Sequence, residues 1–231
     1  MFAEKTLTTM EPSSWNLSDY DIFGSRYQLP LIASESQTKE VIILNATILF
    51  AERGVPAVSM RDIAASCGIK PASLYNHFES KKVLWREVLE HAKELYLLYF
   101  RHLEKELGAV RTFYEILDTI FREPIKLRNS FTCYAFTMVQ AEQFRDENAA
   151  EVFNSIMLEY AIGVMRRRFE QCIEEGLVEK FDTRTVATVI IHSVLICLEI
   201  KVQEYLGRPP PYDPSRMLSD LQRLIASMVR S

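Results

Sequence analysis

The chain has 231 residues, 48% hydrophobic and 25% charged, which is length and apolar content enough to bury one or two cores. Its formal net charge of -4 excludes a protein that coats nucleic acid with its whole surface, so any contact with DNA has to come from a local basic face. Cys67, Cys133, Cys172 and Cys197 stand far apart, with no C-x-x-C pair and no histidines at zinc spacing. They argue against a disulfide framework or a metal site, and a reduced, cytoplasmic protein is expected.

Residues 1–37 carry Pro12, Gly24 and Pro30 among Ser, Thr and Asn and keep no helical period, so they read as a poorly ordered extension. They also lack the basic and apolar regions of a secretory signal. From Lys39 to Arg53 the spacing of Ile42, Ile43, Ala46, Leu49 and Phe50 predicts a helix, stopped by Gly54. Leu44 and Ile48 lie off that stripe, so another part of the chain, the N-terminal extension being one candidate, is expected to cover them. A second helix begins after Ser59, whose hydroxyl caps the first amides while Asp62 reaches back, with Ile63, Ala64 and Cys67 facing inward. Gly68 supplies a sharp turn, and Pro71 fits the first position of a short third helix ending near His77 and Phe78. Ser80 caps a fourth, whose apolar face runs through Val83, Leu84, Val88, Leu89, Ala92, Leu95, Tyr96 and Tyr99 to about Leu107.

Further helices are expected over about 113–122, 129–144, 147–175, 182–206 and 214–229, separated by Pro124, Gly176 and the run Pro209 to Pro211. No segment keeps a period of two, so the fold class is all-α. The apolar stretch Val186 to Ile200 carries Thr188, His192, Ser193 and Glu199. It reads as a buried helix rather than a membrane span, with His192 as a core histidine. Arg166, Arg167 and Arg168, flanked by glutamates, read as a solvated, salt-bridged face, and Cys67 as a small buried hydrophobe.

Helix, capped helix, glycine turn and short helix in this order make the plan of a helix-turn-helix, whose last helix enters the major groove. The residues narrow it further. "LFAERG" followed by "SMRDIAASCGIKPASLYNHFESKKVLW" resembles the N-terminal signature of TetR-family (tetracycline-repressor-type) regulators, over residues 38–90. The resemblance implies that Lys70, Pro71, Ala72, Ser73 and Asn76 approach base edges. Asn76 can make a paired contact to adenine, and Ala72 can touch a thymine methyl. It puts Ser59, Tyr75, His77 and Lys81 where the family grips phosphates.

The resemblance also implies a helix-turn-helix domain over 38–84 and a helical effector-binding and dimerisation domain over 85–231. Its partners would be double-stranded operator DNA, a second copy of the chain held through the last two helices, and a small-molecule effector. The implied function is a dimeric repressor released from a palindromic operator, with no cofactor. Two positions depart from the family pattern: Val41 stands where Arg or Lys is frequent, and Val55 where an aromatic often follows the glycine. Seven basic against six acidic residues over 38–90 leave that segment a net charge of only +1.

A helical interaction protein that has lost DNA binding is the rival reading, kept alive by that weak basicity. An all-helical enzyme using His192 or Glu199 is more distant, because the sequence offers no nucleophile elbow, metal-ligand pair or phosphate loop. No catalytic residue is assigned.

Overall fold

The computed structural model describes residues 38–126, 131–205 and 213–228. The N-terminal extension lies outside them, as do the expected helix limits at 129, 206 and 229. Among the described residues the fold is all-helical, with no strand. The elements are α1 (Thr38–Arg53), α2 (Met60–Ser66), α3 (Pro71–His77), α4 (Lys81–Ala109), α5 (Phe113–Lys126), α6 (Phe131–Glu142) and α7 (Glu147–Val152). A π-helical segment (Phe153–Tyr160), α8 (Ala161–Glu174), α9 (Thr183–Tyr205) and α10 (Pro214–Met228) follow. Two compact units divide the chain: one runs to Leu95 and takes in Asn129–Ala150, and the other comprises Tyr96–Arg128 and everything from Glu151.

In the first unit α1 is buried continuously from Val41 to Phe50, on all its faces, because α2 packs on it and α6 lies alongside. Leu44 and Ile48, off the main stripe, are therefore core residues, and α6 provides cover for α1. Burying a side chain of that size is worth about 1.5–3 kcal/mol, so this helix is held by packing rather than by propensity. Its two buried polar residues are satisfied within the helix, Asn45 donating to the Val41 carbonyl at 2.8 Å and Thr47 to that of Ile43 at 2.9 Å. The start of α4 joins this core through Trp85, set edge-on to Phe50 at 5.7 Å, and Lys39 bridges to Glu87 at 3.0 Å.

In the second unit α5 runs past Pro124, where the sequence suggested a break. A proline in a helix gives up its amide bond and crowds the carbonyl four residues back, but with the helix ending at Lys126 only its last turn is affected. The single helix expected over 147–175 is interrupted by the π segment, which inserts a wider turn between α7 and α8. Phe113, Phe169 and Phe181 form a ring cluster with centroids 5.6 to 5.9 Å apart.

Arg168 departs from its expected place. Arg166 and Arg167 do form surface ion pairs, with Glu170 and Glu104. Arg168 instead is buried, donating through Nε to the Leu107 carbonyl and through Nη2 to that of Val110, both at 3.0 Å. Its guanidinium thus satisfies carbonyls that the end of α4 leaves without helical partners. His192 is also corrected: it is exposed on α9, with Nδ1 2.8 Å from the Thr188 carbonyl. Only one side of α9 is core, with Ala187, Ile190, Ile191, Leu195 and Leu198. Val189 and Ile196 are exposed on the other.

Candidate nucleic-acid interface

The first unit builds its helix-turn-helix from local hydrogen bonds that the sequence specifies residue by residue. Ser59 takes the extended N-cap conformation, its Oγ accepts the Asp62 amide at 3.2 Å, and the Asp62 carboxylate accepts the Ser59 amide at 2.7 Å. This reciprocal box fixes where α2 starts. At its other end Gly68, at φ +71, allows the Gly68 amide to bond the Ala65 carbonyl and the Ile69 amide that of Ala64, closing the helix. Lys70 and Pro71 then start α3, the proline giving up an amide that no helix partner would have used.

Leu74, fully buried, and Phe78 anchor α3 against Ile63 and Ala64 in the core, and Ile69 is half-buried. That leaves Lys70, Pro71, Ala72, Tyr75, Asn76 and His77 exposed on one short helix, with Ser73 half-buried beside them. Tyr75 is 52% exposed, a large aromatic given up to solvent that no core requirement explains. Of the residues expected at base edges, Lys70, Pro71, Ala72 and Asn76 are thus exposed and Ser73 is half-buried.

Ser59 and Lys81 come from different helices yet lie near a common group. The Asp62 carboxyl is held below its usual range chiefly by the side-chain hydrogen bond from Ser59 and by the Ser59 amide. The nearby charges of Arg53 and Lys81 add to the effect. Lys81, half-buried, opens α4 just after Ser80, whose Oγ accepts the Val83 amide at 3.3 Å. A cation at a helix N-terminus gives two favourable terms for one phosphate. Ser59 is differently placed: its hydroxyl donates to Asp62 as well, so both its donors face that carboxylate, and a phosphate has to compete for them.

Cys67 packs in the core of this domain, and burial pushes its thiol up to about 11, which leaves it inert as a nucleophile. One contact arrives from outside the helix-turn-helix: the buried carboxylate of Glu142, the last residue of α6, accepts the Val55 amide at 3.1 Å in the turn before α2. No local sequence pattern marks it. Among the described residues no group of His, Cys, Asp or Glu is arranged to hold a metal.

Residues 42–88 match the family described as bacterial regulatory proteins, tetR family. Over 54 residues the chain is 50% identical to the HTH-type transcriptional repressor KstR2 of Mycolicibacterium smegmatis, a match covering 23% of this chain and 26% of that protein. Over 49 residues it is 49% identical to IcaR of Staphylococcus aureus, the negative transcriptional regulator of the biofilm operon icaADBC, covering 21% of this chain and 26% of IcaR. The match to each thus spans only about a quarter of that protein's length. Among solved structures, the transcriptional regulator FadR from Bacillus subtilis in complex with stearoyl-CoA has the same fold. It aligns with a TM-score of 0.59 over 82% of this chain and 98% of that one, at 18% identity.

Proposed function

We propose that this chain, whose residues 42–88 match the tetR family of bacterial regulatory proteins, is a dimeric transcriptional repressor that leaves a palindromic operator when a small molecule binds. The observation that carries the DNA-binding half is the exposed face of α3. Lys70, Pro71, Ala72, Ser73 and Asn76 approach base edges, while Tyr75, His77 and Lys81 hold phosphates on either side. Ser59 joins the phosphate contacts by exchanging a bond to Asp62 for one to DNA.

Dimerisation is supported by apolar side chains that the single chain leaves uncovered on its last two helices, Val189 and Ile196 on α9 and Leu224 on α10. A two-fold pairing through these helices buries them and sets two α3 helices about one DNA turn, roughly 34–36 Å, apart. Effector control is supported by the π segment Phe153–Tyr160, since such departures from regular helix recur at ligand sites. The stearoyl-CoA held by FadR is a precedent for a ligand in this fold. An effector acts by preferring a conformation whose α3 spacing no longer fits the operator.

Footprinting on the DNA upstream of the chain's own gene tests the proposal. A protected palindrome is expected, weakened by Tyr75→Ala and by Lys81→Ala. Absence of any protected site at moderate salt, with neither substitution having an effect, refutes it.

A further inference from the structure

Gly54, Gly68 and Gly176 each follow a helix with positive φ, of +80°, +71° and +71°, and two of these ends finish themselves. After Gly68 the Ile69 amide returns to the Ala64 carbonyl at 3.0 Å, and after Gly176 the Leu177 amide returns to that of Cys172 at 2.9 Å. These are the longer of the two bonds that close a helix end of this kind. The end of α1 closes by the simpler single bond, Gly54 amide to Phe50 carbonyl at 2.8 Å, which leaves the following amide without a partner in its own helix. The next amide, Val55, which in the other two ends turns back to its own helix, goes to Glu142 of α6.

We propose that Glu142 is a positioning residue of the helix-turn-helix: α6 completes the end of α1 and thereby sets the entry of the chain into α2. A buried carboxylate is a costly choice for a core position, where an apolar side chain packs without desolvation, so the bond it makes is the reason to have it there. No ion pair compensates it among the described residues, and its Oε1 lies only 3.8 Å from where a side chain on Gly54 would begin. From Val55 the chain has one short turn, Val58 amide to Val55 carbonyl, before the Ser59 cap and its Asp62 partner. A shift of α6 therefore releases the Val55 amide and lets the start of α2 drift, carrying Ser59 and the approach to α3 with it.

The consequence for DNA rests on the proposed repressor function, but the tie itself is measurable without DNA. In hydrogen exchange on the full chain, the Val55 amide is expected to exchange roughly tenfold faster in Glu142→Leu, which removes the acceptor, and in Glu142→Asp, which withdraws it by one methylene. In Glu142→Gln, which keeps an accepting oxygen, it stays within about twofold of wild type. The urea midpoint of Glu142→Leu is expected to stay near that of wild type, because the lost bond is offset by relief of a buried charge.

With the footprinted operator fragment, affinity falls about tenfold in the Leu and Asp variants and is restored in Gln. DNA slows exchange of the α6 amides in wild type but not in Glu142→Leu, as reciprocal coupling requires. Unchanged Val55 exchange in both Leu and Asp variants overturns the proposal, and so does wild-type operator affinity in both. If the wild-type chain binds no DNA, the repressor function fails, and the Val55 exchange alone then decides whether α6 ties off α1.

Discussion

Arg168→Ala is expected to destabilise the protein by roughly 3–5 kcal/mol. The side chain is 9% exposed and donates two bonds of 3.0 Å to the carbonyls of Leu107 and Val110, with Glu175 a further 3.7 Å away. Hydrogen bonds to a charged group are worth about 1.5–3 kcal/mol each, and truncation also leaves the buried Leu107 carbonyl in the last turn of α4 without its donor. The distant Glu175 pair adds under about 1 kcal/mol, being partly in solvent. Urea unfolding at fixed protein concentration reads the loss directly. Arg168→Met separates its causes: it keeps the apolar stem and loses the donors, so it should recover little. Arg168→Lys, able to reach one carbonyl, should recover about half. Arg167→Ala, one residue away in an exposed pair with Glu104 at 2.8 Å, should cost less than about 1 kcal/mol. Equal losses at positions 167 and 168, or an Arg168→Met variant as stable as wild type, refute the assignment of Arg168 as the tie holding the end of α4.

Three further outcomes are expected. Operator binding by Lys81→Ala should weaken with a salt dependence shallower by about one counterion, whereas Tyr75→Ala should lose affinity with its salt slope unchanged; gel shifts across a salt series distinguish them. If the proposed dimer forms through α9 and α10, Leu224→Glu, alone or with Ile196→Glu, should give a monomer by sedimentation without unfolding the chain, since both side chains are exposed in the single chain. Burial pushes His91 down to about 4 from 6.5, so the folded state resists a proton that the unfolded state takes up. The stabilisation is complete above about pH 6.5 and is lost as pH falls towards 4, by up to about 3 kcal/mol. A His91→Leu variant should therefore show a flatter stability profile, and identical profiles in urea between pH 7.5 and 4.5 contradict the burial.

The helix-turn-helix was legible because every device that shapes it is local. The Ser59 and Asp62 box, the Gly68 turn and the Pro71 start each involve residues within five positions of one another, so periodicity and cap chemistry suffice to find them. Arg168 was legible in principle: Val164, Met165 and Cys172, at helical spacing from it, are all buried, so its place on the core side of α8 was written in the period and obscured by two solvent-facing arginines beside it. His192 erred the other way, since α9 is apolar around most of its circumference and periodicity cannot say which face meets the core. Glu142 and Val55 lie 87 positions apart, and nothing in either neighbourhood specifies the other. The π segment likewise depends on a hydrogen-bond register that residue types do not encode.

Two features that are weak when taken singly account for each other. The helix-turn-helix segment has a net charge of only +1, and Lys39 is further withdrawn from DNA by its bridge to Glu87. The exposed cations of this segment left without an ion-pair partner among the described residues are Arg53, Arg61, Lys70, Lys82 and Arg86, with Lys81 half-buried beside them. Phosphate contacts govern salt sensitivity and most non-specific affinity at about 0.9 counterion each, so one copy with about five or six such groups holds duplex DNA less firmly at moderate salt than two copies on one site. The uncovered Val189, Ile196 and Leu224 are a liability in a lone chain. In the proposed dimer, burying them is what doubles the phosphate contacts on one operator, and the second recognition helix binds at the effective concentration set by the first. In the proposed repressor, a sparsely charged reading head and an apolar pair of terminal helices belong to one design, in which affinity for DNA is a property of the pair of chains and is open to any ligand that changes their spacing.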